Sequence, residues 1–126
     1  MNNNLKILIA DDSELMRIVM KGFFNKLLPS PIITQASNLN ETFDLIRRES
    51  FDLLILDINM PNGDSNPKTV IEIHAIQPNL KVCMFSGNDK SLLEQSYYDA
   101  GAIGFIQKNE KMGSSAEELL KLLYPN

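Results

Sequence analysis

The sequence has little of three features that point to particular classes of protein. It contains a single cysteine, Cys83, which cannot form a disulfide within the chain, so a reducing compartment is expected. Its apolar runs are far shorter than a membrane span, and its first residues lack the basic and apolar segments of a secretory signal. Its 12 basic residues form no stripe and are outnumbered by 16 acidic ones, which argues against direct binding of nucleic acid. We therefore expect one cytoplasmic domain, spanning residues 1–126, without membrane insertion.

One stretch indicates how the rest of the chain is arranged. Residues 53–56 are all apolar, and such a run is typical of a strand buried on both faces of a sheet. The run ends in a carboxylate, Asp57, and a turn is predicted over residues 59–63. Open α/β sheets bind ligands at the carboxyl ends of their parallel strands, so Asp57 is a candidate site residue. Taken alone, it could equally end the strand or cap the next loop.

Strand and helix patterns alternate along the whole chain. Short apolar runs predict five strands, and apolar residues at helical spacing predict a helix after each of them. Such alternation predicts a parallel sheet with helices on both faces and right-handed connections, although spacing does not give the strand order. The predicted strands cover residues 5–10, 32–36, 53–57, 80–85 and 102–106.

The helix patterns also predict where helices begin and which faces they bury. The first helix is expected to be capped by Asp12 or Ser13. The last is expected to begin near Ser114 or Ser115, where Ser115 and Glu118 have the spacing of a capping box. The stripes expected to face the core are Met16, Val19, Phe23 and Leu27 in the first helix, and Val70, Ile71, Ile73 and Ile76 in the third.

Polar groups of complementary chemistry follow four of the predicted strands. They are Asp11 and Asp12 after the first strand, Asp57 after the third, Ser86 after the fourth and Lys108 after the fifth. If these strands are neighbours, the side chains converge, because the carboxyl ends of parallel strands share one edge. Adjacent carboxylates need a cation, and oxygen ligands favour a hard ion such as Mg²⁺. A carboxylate can also act as a nucleophile and form an acyl phosphate, whose charge a metal and a lysine would neutralise.

The chain resembles the receiver domain of two-component response regulators, of the single-domain, chemotaxis-regulator-like kind, over almost its whole length. This resemblance implies a flavodoxin-like (βα)5 fold: a doubly wound, parallel five-stranded sheet of order 2-1-3-4-5. The matching stretches are Asp11-Asp12, Leu56-Asp57-Ile58-Asn59-Met60-Pro61, Phe85-Ser86-Gly87 and Gly101-Ala102-Ile103-Gly104-Phe105-Ile106-Gln107-Lys108.

The resemblance implies a phosphorylation site that depends on Mg²⁺. Asp57 would accept a phosphoryl group from a phosphohistidine on a sensor histidine kinase or a histidine phosphotransfer protein. Asp12 would bind the metal directly and Asp11 partly through water. Asp57 itself and the backbone carbonyl of Asn59 would complete the metal site. The chain would therefore be a signalling phosphoacceptor rather than an enzyme, and would catalyse only its own phosphorylation and dephosphorylation.

The resemblance also implies how the signal would leave the site. Ser86 would move to hold the phosphoryl group, Lys108 would pair with it, and Phe105 would be the switch aromatic that turns inward. The fourth helix, fifth strand and fifth helix would then form the face that binds a downstream protein or effector domain, or a second copy after phosphorylation. Asn59 and Asn88 would tune the rate of dephosphorylation.

Three residues depart from the pattern of the family. Asn109 follows Lys108 where the family often has proline, so the next loop is expected to differ in shape. Ser65 stands where a glycine often follows the loop aspartate. Phe105 lacks the hydroxyl of the more common tyrosine. These departures concern output and leave the phosphorylation site complete.

Other classes of function remain open from the sequence. The receiver fold could serve as a protein-binding module that does not depend on phosphorylation. A small phosphatase with an aspartyl-phosphate intermediate is a weaker alternative, because Asn59 replaces the second aspartate of the common Asp-x-Asp signature. A flavodoxin-type cofactor site would need a phosphate-binding loop after the first strand, where Asp11 and Asp12 would repel phosphate.

Overall fold

The computed structural model describes residues 4–60 and 63–125, in which five strands and five helices alternate. Pro61 and Asn62 of the predicted turn lie outside these residues. The observed strands begin and end within two residues of the predicted positions. In chain order the elements are β1 (Lys6–Ala10), α1 (Glu14–Leu27), β2 (Ile32–Ala36), α2 (Leu39–Arg48), β3 (Leu53–Asp57), α3 (Pro67–Ile76), β4 (Lys81–Ser86), α4 (Lys90–Asp99), β5 (Gly104–Gln107) and α5 (Met112–Leu123).

The strands form a parallel sheet in the order β2-β1-β3-β4-β5, which confirms the predicted fold class. β3 lies at the centre, where Leu54 pairs with Leu8 of β1 and with Val82 of β4. All five residues of β3 are buried, as expected of a strand with apolar side chains on both faces. Asp57 therefore ends the central strand and lies in the middle of the carboxyl edge of the sheet.

The helices cover both faces of the sheet and divide the core into two layers. Leu54 and Leu56 of β3 pack in the layer formed with α2, α3 and α4. Leu53 and Ile55 pack in the layer formed with α1 and α5. Successive strand residues point to opposite faces, so a shift of one residue in register would exchange the two layers. The two layers thus fix the register at which Asp57 meets its neighbours.

Side chains just before α1 and α3 fix where these helices begin. Ser13 is the N-cap of α1, and its hydroxyl accepts a hydrogen bond from the Met16 N–H at 3.2 Å. Asn66 and Thr69 form a reciprocal capping box at the start of α3, with Pro67 in its first turn. These side chains satisfy N–H groups that have no partner within the helix. Because both helices follow strands that end at the site, the caps also fix the loops around it.

The start of α5 differs from the prediction. The helix begins at Met112, before both predicted residues, and its N-cap, Lys111, makes no side-chain cap hydrogen bond. The predicted capping box between Ser115 and Glu118 is therefore wrong. A turn at Asn109 precedes the helix, with its side chain accepting from Lys111 N–H at 2.8 Å and its carbonyl from Met112 N–H at 3.1 Å. Met112 also packs against the core, and this burial outweighs a cap worth about 1 kcal/mol.

Two buried helix faces are displaced from the predicted stripes. Met20 and Phe24 are the fully buried residues of α1. In α3, Ile71 is 57% exposed and does not belong to the core. α1 packs against α5 as well as the sheet, so its apolar arc is wider than a single stripe. The predicted stripe of α1 lies at the border of this arc and is only partly buried: Met16, Val19, Phe23 and Leu27.

Gly101 follows the C-cap of α4, Ala100. Its φ of +115° favours glycine, and its N–H donates to the Tyr98 carbonyl at 3.0 Å. A Cβ atom here would lie 3.0 Å from His74 Nδ1, and Nε2 of the same ring lies 2.8 Å from the Leu80 carbonyl oxygen. His74 therefore packs α3 against the turn that leads into β5.

Two further observations concern the length and polarity of the helices and the lone thiol. None of the helices within residues 4–60 and 63–125 is long and apolar enough to cross a membrane. Cys83 is buried in β4, and burial raises the pKa of its thiol to about 12. The thiol is thus held in its neutral form and packs as a small apolar group.

Gln77, the residue that ends α3, connects three parts of the backbone. Its Nε2 donates to the carbonyl oxygens of Ile46 at 2.6 Å and Glu49 at 2.7 Å. Its Oε1 accepts from the Phe51 N–H at 3.1 Å. One side chain therefore satisfies carbonyls at the C-terminal end of α2 and an amide that leads into β3. These contacts hold α2, α3 and β3 together at the edge of the sheet opposite the site.

We expect Gln77→Glu to lower the free energy of unfolding by about 2 kcal/mol. The substitution removes both donated hydrogen bonds and places a negative charge against two carbonyl oxygens. Urea denaturation at neutral pH measures the effect. Asn79→Asp is the matched control, because Asn79 is exposed in the adjacent turn, and it should change stability by less than about 0.5 kcal/mol. Equal losses in the two variants would contradict the structural role of the Gln77 amide.

Candidate functional site

The carboxyl edge of the sheet brings together the side chains that follow four of the strands. Asp11 follows β1, Asp57 ends β3, Ser86 ends β4 and Lys108 follows β5. Lys108 Nζ lies 2.7 Å from Asp11 Oδ2 and 3.2 Å from Asp57 Oδ1. The same ammonium lies 4.9 Å from the centre of the Phe85 ring. A cation is thus held between two carboxylates at the end of the central strand.

Asp12 completes a cluster of three carboxylates. Asp11, Asp12 and Asp57 each place one oxygen within 4.8 Å of those of the other two. Asp11 and Asp57 are buried, whereas Asp12 is exposed, so the cluster opens to solvent on one side. Asp11 Oδ1 accepts from the Ser13 N–H at 2.8 Å. The buried Oδ2 of Asp11 has the ion pair with Lys108 and no hydrogen bond among the described residues. Such oxygen donors fit a hard divalent cation such as Mg²⁺.

The electrostatics of the site make Asp57 an unusual aspartate. Burial first, and then the neighbouring charge of Asp11, raise the pKa of Asp57 from 3.8 to about 7. The ammonium of Lys108 acts in the opposite direction and limits the rise. A carboxyl group with this pKa changes its charge readily when a cation enters or leaves the site. The arrangement therefore holds a potential nucleophile in an environment that favours added positive charge.

Arg17 of α1 holds the end of β1 in place. Its Nη1 donates to the Asp11 carbonyl oxygen at 2.6 Å, and its Nε donates to Gln35 Oε1 at 2.9 Å. The Asp11 N–H donates in turn to the Ala36 carbonyl at 3.0 Å. The backbone of Asp11 is therefore fixed through both its amide and its carbonyl. The sequence gives no sign of these hydrogen bonds, which depend on the pairing of β1 with β2.

Ser86 is buried at the end of β4 and is tied to the strand that carries Lys108. Its hydroxyl oxygen accepts from the Asn88 N–H at 3.0 Å, which leaves its hydrogen to be donated elsewhere. Its carbonyl accepts from the Lys108 N–H at 2.8 Å. Asn88 and Asn59, with predicted roles in dephosphorylation, are both exposed. These roles, and the metal-ligand role of the Asn59 carbonyl, stay predictions.

Phe105, the predicted switch aromatic, is buried in this structure. It is only 4% exposed and packs edge-to-face against Tyr97 of α4, with the ring centres 6.0 Å apart and the planes at 63°. Such aromatic pairs are favourable beyond the area they bury. Tyr97 is also buried, whereas its neighbour Tyr98 is partly exposed. Adjacent residues of a helix lie about 100° apart, so only one of these two tyrosines faces the core.

Ser65, in the loop between β3 and α3, is a further residue of the site that sequence reasoning missed. Its hydroxyl donates to the carbonyl oxygen of Asp57 at 2.9 Å, and its N–H donates to the Ile58 carbonyl at 2.7 Å. It is 3% exposed, although it lies in a loop. The only signal in the sequence was a serine where the family often has glycine. Ser65 thus closes the loop onto the end of β3.

The surface formed by α4, β5 and α5, called here the α4–β5–α5 face, carries an exposed apolar side chain. Leu122 of α5 lies on this face and is 73% exposed. A shallow cavity of about 170 Å³ lies between α4 and α5, and its lining includes Lys90, Tyr98, Phe105 and Glu118. Large apolar side chains framed by charged ones are typical of surfaces that bind other proteins.

Fold and site together define a class of protein: an open α/β domain with a carboxylate cluster and a lysine at its ligand-binding edge. A family model described as the response regulator receiver domain matches residues 7–121. The chain therefore belongs to the receiver domain family of response regulators. The resemblance seen in the sequence is confirmed.

Named relatives of similar sequence are longer proteins. The chain is 28% identical over 123 residues to a glycerol metabolism activator of Pseudomonas putida, covering 96% of this chain and 55% of the relative. It is 32% identical over 127 residues to a protein-glutamate methylesterase/protein-glutamine glutaminase of Syntrophomonas wolfei, covering 94% and 35%. The chain thus spans about half of one relative and a third of the other.

Solved structures agree with the fold. A response regulator of Thermotoga maritima superposes with a TM-score of 0.81 at 24% identity, and the match covers 98% of this chain and 99% of that one.

Proposed function

We propose that this chain is the phosphoacceptor of a two-component phosphorelay. A carboxylate oxygen of Asp57 attacks the phosphorus of a phosphohistidine on a sensor histidine kinase or a histidine phosphotransfer protein. The new bond is an acyl phosphate, and the P–N bond to the histidine breaks with its electron pair remaining on nitrogen. The reaction modifies the chain itself and needs no external substrate ester.

The observation that carries this proposal is the ammonium of Lys108 held between the Asp11 and Asp57 carboxylates. Asp57 is fixed in position by β3 and faces an edge where solvent reaches the exposed Asp12. A phosphoryl group added to Asp57 would bring further negative charge to this point. Lys108 is already within ion-pair distance of Asp57 Oδ1 and would neutralise part of that charge.

Mg²⁺ is the cofactor that the carboxylate cluster fits. Asp11, Asp12, Asp57 and the backbone carbonyl of Asn59 would hold it, with water completing the shell. The bound ion would neutralise phosphoryl oxygens and favour the charged, nucleophilic form of Asp57. Among the described residues, the buried Oδ2 of Asp11 has the Lys108 ammonium as its partner, and a carboxylate oxygen paired with one cation retains a lone pair for a second.

Ser86 and Phe105 would transmit the effect of the added charge to the α4–β5–α5 face. The Ser86 hydroxyl still has a hydrogen to donate and would move to the phosphoryl oxygen. Phe105 lies in β5, where it pairs with Met84 of β4, and would respond to that movement. A downstream protein, an effector domain or a second copy would then bind the α4–β5–α5 face, whereas Asn59 and Asn88 would tune dephosphorylation.

Intact-mass measurement with a small phosphodonor tests the proposal. With Mg²⁺ the chain is expected to gain one phosphoryl group, and in chelator the labelled fraction should fall on the order of ten-fold. Hydroxylamine should remove the label, because an acyl phosphate is cleaved by this nucleophile and a serine phosphate is not. A label that forms equally well in chelator, or that resists hydroxylamine, would contradict the proposal. Failure with both small donors and a phosphohistidine protein would favour the phosphorylation-independent binding module.

A further inference from the structure

The peptide of Ser65 lies between the site and α4. On one side its hydroxyl donates to the Asp57 carbonyl at 2.9 Å, and both residues are buried. On the other side its own carbonyl accepts a hydrogen bond from the hydroxyl of Tyr97 at 3.3 Å. The bond joins residues 32 positions apart in the chain. Ser65, in the β3–α3 loop, is thus hydrogen-bonded both to β3, which ends in the site, and to α4, which is part of the α4–β5–α5 face.

Tyr97 extends this connection to Phe105. Its ring packs edge-to-face on Phe105, and its hydroxyl is buried with the Ser65 carbonyl as its partner. A hydroxyl that is removed from water loses more by breaking its hydrogen bond than an exposed one does. Movement of the loop is therefore expected to carry the Tyr97 hydroxyl with it, and the rigid ring transmits that movement to α4 and Phe105.

We propose that Ser65 and Tyr97 are positioning residues that couple the Asp57 site to α4 through the Tyr97 hydroxyl. The inference rests on the proposed function, because it concerns how occupation of that site reaches the α4–β5–α5 face. It adds a path through the β3–α3 loop, separate from the one through Ser86 and Lys108. Neither residue touches the reacting atoms, so the coupling is separable from phosphorylation itself.

The coupling has a physical basis in the way that α4 is held. Tyr97 is the buried residue of α4, so the position of its side chain sets how the helix lies on the core. Two sites are coupled when both bias the same structural element, and each then affects the other to the same extent. Occupation of the Asp57 site would bias the loop, and the loop would bias the position of α4.

Amide hydrogen exchange with and without Mg²⁺ and beryllium fluoride, a mimic of the acyl phosphate, tests the proposal. In the wild-type chain, occupation of the site is expected to change exchange across Lys90–Asp99 by about five-fold, the lower end of common couplings. In Tyr97→Phe, which keeps the ring and loses only the hydroxyl, this change should fall by at least about half. Ser65→Ala should show the same loss, and combining the two should add little. Binding of the mimic should stay within about three-fold in Tyr97→Phe, because the Tyr97 hydroxyl bonds to the Ser65 carbonyl and to no ligand of the site.

Tyr98→Phe is the matched control, since it makes the same substitution one residue along α4. The Tyr98 hydroxyl donates to Glu94 within the same helix at 3.1 Å, and among the described residues it has no hydrogen bond to the loop. This variant should retain the wild-type response. A purely structural role for Tyr97 would raise exchange across α4 in both states and leave the response to the mimic unchanged.

The outcomes separate the inference from the proposed function. An undiminished response in Tyr97→Phe and Ser65→Ala would overturn the coupling while leaving the phosphoacceptor assignment intact. An equal loss of response in Tyr98→Phe would also overturn it, because the effect would then belong to α4 in general. A wild-type chain that binds neither Mg²⁺ nor the mimic would overturn the proposed function, and the coupling with it.

Discussion

In Asp57→Asn we expect phosphoryl uptake to be lost completely while the folded state becomes more stable in chelator at alkaline pH. The loss follows because an amide is not a nucleophile for phosphorus and cannot form an acyl phosphate. The gain follows because the wild-type carboxylate is buried beside Asp11 and must be charged at high pH. An acidic site kept for its chemistry is thus expected to weaken the fold.

The sign of the pH dependence follows from the raised pKa of Asp57, about 7 in the folded chain against 3.8 ordinarily. Between these values the folded state binds more protons than the unfolded state, so the free energy of unfolding falls as pH rises. The variant has no such group. The difference in free energy of unfolding between the variant and the wild type should therefore shift in favour of the variant by about 2 kcal/mol between pH 5 and pH 8.

Urea denaturation in chelator at several pH values, together with intact mass after treatment with a phosphodonor, measures both effects. Asp52→Asn is the matched control, because Asp52 lies just before the other end of β3, where its carboxylate accepts from the Lys6 N–H at 2.8 Å. This variant should label normally and show no pH-dependent gain. Labelling of Asp57→Asn, or a stability difference that does not change with pH, would contradict the role assigned to the buried carboxylate.

The sequence allowed the carboxyl edge of the sheet to be predicted because strand ends are local features. The apolar run of β3 and the aspartate after it depend only on neighbouring residues, and the same is true of Lys108 after β5. The strand order came from the resemblance to a family, since the lengths of the connections do not distinguish one order from another. Once the order is known, the convergence of Asp11, Asp57 and Lys108 follows.

The start of α5 and the buried face of α1 could not be predicted because they depend on each other. Gly113 of α5 lies so close to the Phe23 ring that a Cβ atom there would be 2.8 Å from Phe23 Cε1. This contact places the first turn of α5 against α1, and no capping motif is needed to begin the helix there. Local patterns describe each helix alone, and tertiary packing overrides them here.

The supporting hydrogen bonds were missed for a similar reason. Arg17, Ser65 and Gln77 all use their side chains to bind backbone groups of other elements. A backbone acceptor is present at every residue, so nothing in the sequence marks the partner. These contacts nevertheless fix the Asp11 backbone, the loop after Asp57 and the opposite edge of the sheet.

We expect Lys108→Met to lower the free energy of unfolding in chelator at pH 8 by about 3 kcal/mol. The substitution removes the cation that lies 2.7 Å from Asp11 and 3.2 Å from Asp57, and it leaves two buried carboxylates to repel each other. Methionine preserves most of the side-chain volume, so the loss is electrostatic rather than due to a cavity. The effect should shrink at pH 5, because protonation of a carboxyl group relieves the repulsion.

Added Mg²⁺ should restore more stability to Lys108→Met than to the wild type, because the metal replaces the missing positive charge only in the variant. Urea denaturation of both chains with chelator and with Mg²⁺ measures this difference. Lys121→Met serves as control, because the Lys121 side chain is 76% exposed in its pair with Glu117 and should contribute less than about 1 kcal/mol. If Mg²⁺ raised the free energy of unfolding of the variant and the wild type equally, the metal would not compensate for the positive charge of Lys108 beside Asp11 and Asp57. The prediction that Mg²⁺ can replace the Lys108 ammonium would then be wrong.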